Sequence, residues 1–191
     1  MKLSTPEFLA MQSIPRKLGQ RFFELPLFKK MGMDLKNKDV LELGCGSGYG
    51  AFLLNQLEPK SYFGLDVMEE QIELAKKQYP QFQFTTQSAD DLSQFEDGSK
   101  DVIIIFGVLH HIKTWRKVID EMNRVLKTGG SLFLEEPRRS DIKMFDFFFR
   151  WAHPDIDFDL RDMEAYAAEQ GLRIEAKRWT PLLTMYHIRK P

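Results

Sequence analysis

Eleven residues, Val40-Leu41-Glu42-Leu43-Gly44-Cys45-Gly46-Ser47-Gly48-Tyr49-Gly50, constrain this chain more than any other stretch. An apolar strand runs straight into alternating glycines and then into a helix. Glycines lack the Cβ that would hold a ligand away from the backbone, and the helix start offers free N–H groups and a positive dipole end. Gly46-x-Gly48-x-x-Ala51 also matches the G-x-G-x-x-A form of a dinucleotide-binding loop.

The remainder supplies a sheet for that loop. After the first strand, Asp39–Leu43, further strands are expected at 62–65, 82–86, 101–106 and 131–134. They alternate with segments of helical period, such as Met68, Ile72, Ala75 and Tyr79, a helix that Pro80 ends. The stripe Trp115, Val118, Ile119, Met122, Val125 and Leu126 is a second, with Gly129-Gly130 as its expected stop. This alternation predicts an α/β fold: a Rossmann-like, mostly parallel sheet with helices on both faces. A helix from Leu160 to Gln170 and two alternating runs around Thr180-Pro181 predict an antiparallel pair closing one edge.

At the other end, Met11, Ile14, Leu18, Phe22 and Leu25 recur at helical spacing, with Pro15 and Pro26 expected to break any single long helix. Residues 1–36 thus read as an N-terminal helical cap on a unit spanning 37–191, one domain overall.

Composition excludes several classes of function. With 27 Lys+Arg against 28 Asp+Glu the net charge is -1, so no general field draws nucleic acid to the protein. The single cysteine, Cys45, forms neither an intrachain disulfide nor a multi-cysteine zinc site, so no metal is expected and a reducing cytoplasm is the expected location. The longest apolar run, Val102 to Leu109, falls far short of the ~20 residues that cross a bilayer, so no integral membrane segment is expected. Oligomeric state is left open.

Acidic residues around the glycine loop narrow its ligand. Asp66 ends the second strand, twenty residues after Gly46, where a carboxylate accepts from the two hydroxyls of a ribose. NAD and S-adenosylmethionine both carry that ribose. Glu42, two residues before the first glycine, suits the ammonium of a methionine moiety and opposes a pyrophosphate, which favours S-adenosylmethionine. Asp90, with Asp91 as its alternative, follows the third strand and is a partner for the adenine amine. Gly44, Ser47, Gly48, Val67 and Gly107 complete the expected cofactor-binding set.

Together with YFGLD, SADDL, DVIIIFGVLHHI and RVLKTGGSLFLEEP in order, VLELGCGSGYG resembles a class I S-adenosylmethionine-dependent methyltransferase of the type 11 kind, over about Asp39 to Glu136. The resemblance implies a seven-stranded sheet of order 3-2-1-4-5-7-6 with an antiparallel last strand. One departure is Ser93-Gln94-Phe95, where relatives more often read Leu-Pro-Phe. Base-amine methyltransferases carry a Pro-Pro-aromatic motif after the fourth strand; this chain reads Phe106-Gly107-Val108-Leu109-His110. Carbon-5 pyrimidine methylation needs a catalytic cysteine, and Cys45 sits in the cofactor loop. The two-glutamate loop of protein arginine methyltransferases is also missing.

A small-molecule acceptor, apolar or aromatic and methylated on oxygen or nitrogen, is therefore expected. His110 is the expected base, as in some small-molecule members, with Glu135 orienting it or binding the acceptor. Phe145, Phe147, Phe148, Phe149 and Trp151 crowd one segment and would close over the pocket with the cap. The competing readings are a cofactor-binding module without turnover and an NAD(P)-binding Rossmann protein.

Overall fold

A computed structural model describes residues 13–143 and 157–191. The aromatic segment from Phe145 to Trp151 lies outside them, as does Met11. Seven strands form one sheet: β1 Asp39–Leu43, β2 Ser61–Asp66, β3 Gln83–Thr86, β4 Lys100–Phe106, β5 Leu126–Glu136, β6 Arg173–Trp179 and β7 Thr184–Arg189. Their order is β3-β2-β1-β4-β5-β7-β6, with β7 antiparallel to both its neighbours and the other pairings parallel. This is the order and the strand direction that the resemblance implies.

Strand period places the two cores. On β4, Ile103 and Ile105 feed one apolar layer with Trp115 and Met122, while Val102, Ile104 and Phe106 feed the opposite layer. A strand buried on both faces reads as a continuous apolar run, and each buried isoleucine contributes roughly 1.5–3 kcal/mol. The first layer is covered by α5, Trp115–Val125, and α6, Leu160–Glu169. The second is covered by α3, Tyr49–Asn55, by α4, Glu69–Gln78, and by the N-terminal helical run. Phe28 anchors that run edge-on to Phe133, with ring centroids 5.7 Å apart.

Two local expectations are corrected. Pro15 and Pro26 do not break the N-terminal helix: α1, Ile14–Gly19, passes through a π turn, Gln20–Glu24, into α2, Leu25–Lys30. Pro15 sits in the first turn, where its missing N–H costs nothing, and the wider π turn, closed by Leu25 N–H on the Gln20 carbonyl, accommodates the ring of Pro26. Gly129-Gly130 is also not the stop of α5, which ends at Val125; the glycines lie inside β5, where its register against β4 shifts. Gly129 adopts a φ of +78° at this irregularity, a conformation that glycine takes without strain.

Candidate functional site

At the carboxyl edge of β1, β2 and β4 a cavity of about 400 Å³ opens, within the ~300–1,000 Å³ of small-molecule sites. Its wall runs from Glu42 and the glycine loop past Asp66 to Ser88 and Ala89, and on the other side to Phe106, Val108 and His111.

The loop geometry follows from missing side chains. A Cβ on Gly44 would lie 2.4 Å from Cγ2 of Val108, and one on Gly50 would lie 2.2 Å from Oε2 of Glu42. Glycine at these two positions lets the loop after β4 close on the loop after β1 and lets the Glu42 carboxylate stand beneath α3. Gly48 caps α3 at a φ of +84° and does not line the cavity.

Asp66 organises the turn. Its Oδ2 accepts from the Gly46 N–H at 2.9 Å and its Oδ1 from the Met68 N–H at 2.9 Å. Each oxygen keeps a further lone pair for a ligand. Burial raises the Asp66 pKa against these hydrogen bonds. Glu42 is more deeply enclosed: the Tyr62 hydroxyl donates to its Oε2 at 2.6 Å, and burial pushes it up to about 8. A buried carboxylate at this value is neutral at pH 7 and ionises when a cation arrives.

At the far end, Asp90 accepts from the hydroxyls of Ser88 and Thr114, both at 2.5 Å, and so ties the loop after β3 to the start of α5. Asp91 is turned to solvent and accepts from Ser93 N–H. Ser88, Ala89 and Thr114 line the cavity, and neither acid is among its lining residues. Ser47, Val67, Cys45 and Gly107 line it as well. Burial pushes the Cys45 thiol well above its usual value, which leaves it a packing residue rather than a nucleophile.

The histidine pair divides. The ring of His110 is buried, with Nδ1 2.7 Å from Glu136 Oε2, and it does not line the cavity; His111 does. The two rings lie 3.9 Å apart between centroids. The carboxylate on His110 is Glu136, not Glu135, because successive residues of β5 point to opposite faces of the sheet. Glu136 also accepts from the Val108 and Leu109 N–H groups at 2.9 and 2.7 Å, so it holds the whole turn after β4; burial pushes it up to about 7.

Glu135 faces the N-terminal helix. There Arg16 bonds its Oε1 at 2.6 Å and also pairs with Glu24. Burial acts against the Arg16 charge, but the two carboxylates outweigh it and raise its pKa. Burial and the Glu135 charge push Glu24 up to about 9, and burial raises Glu135 as well against the Arg16 charge.

The family model described as "Methyltransferase domain" matches residues 41–134, which run from β1 through the loop and Asp66 to β5. The chain carries a class I S-adenosylmethionine-dependent methyltransferase domain. This methyltransferase domain is 40% identical over 101 residues to the phthiotriol/phenolphthiotriol dimycocerosates methyltransferase of Mycobacterium tuberculosis, covering 51% of this chain and 37% of that protein. The chain thus spans less than half the length of that curated relative. Among solved structures it is similar to the PH0226 protein of Pyrococcus horikoshii, with a TM-score of 0.79 at 20% identity over 97% of this chain and 96% of that one. A methyltransferase from Aquifex aeolicus gives 0.76 at 16% identity, over 98% and 100%. At such identities these two likenesses speak to the fold.

The methyltransferase cofactor, S-adenosylmethionine, fits the residues present. Besides the loop and the two acids, the cavity wall holds Gln71, a buried side chain whose Oε1 has no hydrogen-bond partner among the described residues. An orphaned buried acceptor beside the glycine loop suits a donor group on a ligand. Gln71, Arg16, Gln20 and Tyr49 are lining residues that the sequence reading did not single out. Only Gln71 left a signal, a polar residue beside Ile72 on the inward face of an amphipathic helix.

Proposed function

We propose that the protein transfers a methyl group from S-adenosylmethionine to a small, apolar or aromatic acceptor, on oxygen first and on nitrogen as the second choice. The observation that carries this reading is one cavity with two chemistries: acids and backbone donors from the glycine loop and β2, and Phe106, Val108 and Ile112 with His111 from β4 and the turn after it. A relative named for phthiotriol and phenolphthiotriol dimycocerosates fits the apolar side of the reading. Residues 1–36 act as a cap on the unit 37–191, with Arg16 and Gln20 supplying its contact to the cavity. The lone buried Cys45 suits a reducing cytoplasm.

S-adenosylmethionine, when bound, supplies an electrophilic methyl on a sulfonium. Glu42 would receive the ammonium, Asp66 the ribose hydroxyls, and Ser88, Ala89 and Thr114 the adenine end, with Asp90 holding that wall in place. The residues around the turn after β4 would hold the acceptor, and His111 would take its proton as the methyl leaves sulfur for the acceptor, with S-adenosylhomocysteine as the leaving group. His110 and Glu136 act behind it as positioning residues: the carboxylate fixes His110, and His110 supports the His111 ring.

Calorimetric titration tests the cofactor half. S-adenosylmethionine should bind and NAD should bind poorly or not at all. Asp66→Ala should weaken S-adenosylmethionine by roughly 1.5–3 kcal/mol, a factor of about ten to a hundred, because it removes charge-assisted hydrogen bonds. Tight NAD binding without an S-adenosylmethionine signal would end the assignment.

A further inference from the structure

The helical run over the cavity is amphipathic in an unusual sense. Its polar residues Arg16, Gln20 and Glu24, four apart, face inward, onto the cavity and Glu135. Leu25 and Phe28 near its end pack into the core, but four of its apolar residues, Ile14, Leu18, Phe22 and Phe23, face solvent, at 72%, 47%, 59% and 75% exposure. Exposed aromatic rings on a helix normally signal a partner.

Charge points to the kind of partner. Arg21, Lys29 and Lys30 are exposed along the same run, and the only acid between Ser13 and Lys30 is Glu24, which is buried. The chain as a whole carries a net charge of -1, so this basic, apolar face is a local feature. A second copy docking through the same patch would set these cations against their own counterparts. Phenyl rings flanked by lysine and arginine, with no exposed carboxylate between, are the pattern of a helix lying in a lipid interface.

We propose that the outer face of the 14–30 helical run docks on an anionic lipid surface. Arg16 and Gln20 on the inner face line the cavity, so docking holds the cavity beside the lipid. Among the described residues no helix is long and apolar enough to cross a membrane, and the contact proposed here is peripheral. It needs neither cofactor nor turnover.

Flotation of the full chain with vesicles tests it, comparing pure phosphatidylcholine with vesicles containing about one third phosphatidylglycerol. The chain should float with the anionic vesicles and less with the neutral ones, and added salt should weaken the binding. Phe22→Ser with Phe23→Ser should lower partitioning at least roughly tenfold, because two rings no longer leave water. Lys29→Glu with Lys30→Glu should lower binding to anionic vesicles by a similar factor. Both variants should still bind S-adenosylmethionine, which separates failure of docking from failure of the cofactor reading. No flotation of the wild-type chain, or equal flotation of it and the charge variant, overturns the proposal. So does a wild-type dimer that the Phe variant converts to monomer without any vesicle binding. If the Phe variant loses its fold, the charge variant decides alone.

Discussion

Replacing His111 by alanine is expected to lower methyl transfer by roughly two to four powers of ten, the usual loss for a missing general base, with S-adenosylmethionine affinity nearly unchanged. The expectation rests on position: His111, unlike His110, lines the cavity, with Val108 and Ile112. His110→Ala should act differently. Its Nδ1 contact to Glu136 sits 2.7 Å away inside the fold, so its removal loosens the turn that carries His111. That variant should lose part of the turnover, whereas His111→Ala should lose nearly all of it. If both variants keep near-wild-type turnover at every pH, transfer proceeds by positioning alone.

The second large effect concerns Glu42 and pH. Burial holds its folded pKa at about 8, so the free protein carries the proton at pH 6 to 7. Pairing with a ligand ammonium requires the carboxylate, so binding releases that proton. Affinity for S-adenosylmethionine should therefore rise by up to about tenfold per pH unit from 6 toward 8, then fall as the ligand amine, with a pKa near ~8, loses its own proton. Titrations at pH 7 in buffers of different ionisation heat should show nearly one proton released. Glu42→Gln should bind more weakly and with neither the rise nor the release. Stability follows the same linkage. The folded pKa lies above the unfolded value of ~4.3, so the contribution of this proton is complete below that value and is lost as pH rises toward 8. The ligand-free protein should melt lower at pH 8 than at pH 6, and Glu42→Gln should reduce the difference without removing it, because Glu24 and Glu136 are raised in the same direction.

Much of this was legible before any coordinates. The run Val102–Phe106 demanded a strand buried on both faces, and β4 is one. The glycine spacing and Asp66 placed a ligand loop at the strand ends, where Asp66 binds Gly46 N–H. What sequence pattern left open was direction. Periodicity marked the N-terminal run as amphipathic without saying which face turns inward, because the buried partner of Arg16 is Glu135, 119 residues away. Adjacent residues share a sequence position in all but name, yet Glu135 and Glu136 face opposite layers, and of His110 and His111 only the second lines the cavity. The single-turn helix Leu109–His111 rotates its residues by roughly a third of a turn each, so which histidine meets the cavity depends on where that turn begins.

The central claim is methyl transfer, and mass spectrometry of acceptors incubated with the full chain and methyl-deuterated S-adenosylmethionine tests it most directly. The panel should span apolar and aromatic alcohols, phenols and amines, with lipid alcohols among them. The account predicts a labelled methyl on at least one apolar hydroxyl acceptor, S-adenosylhomocysteine in equal amount, and loss of both in His111→Ala. Normal cofactor binding with no labelled product across the panel would contradict it and leave a cofactor-binding module without turnover.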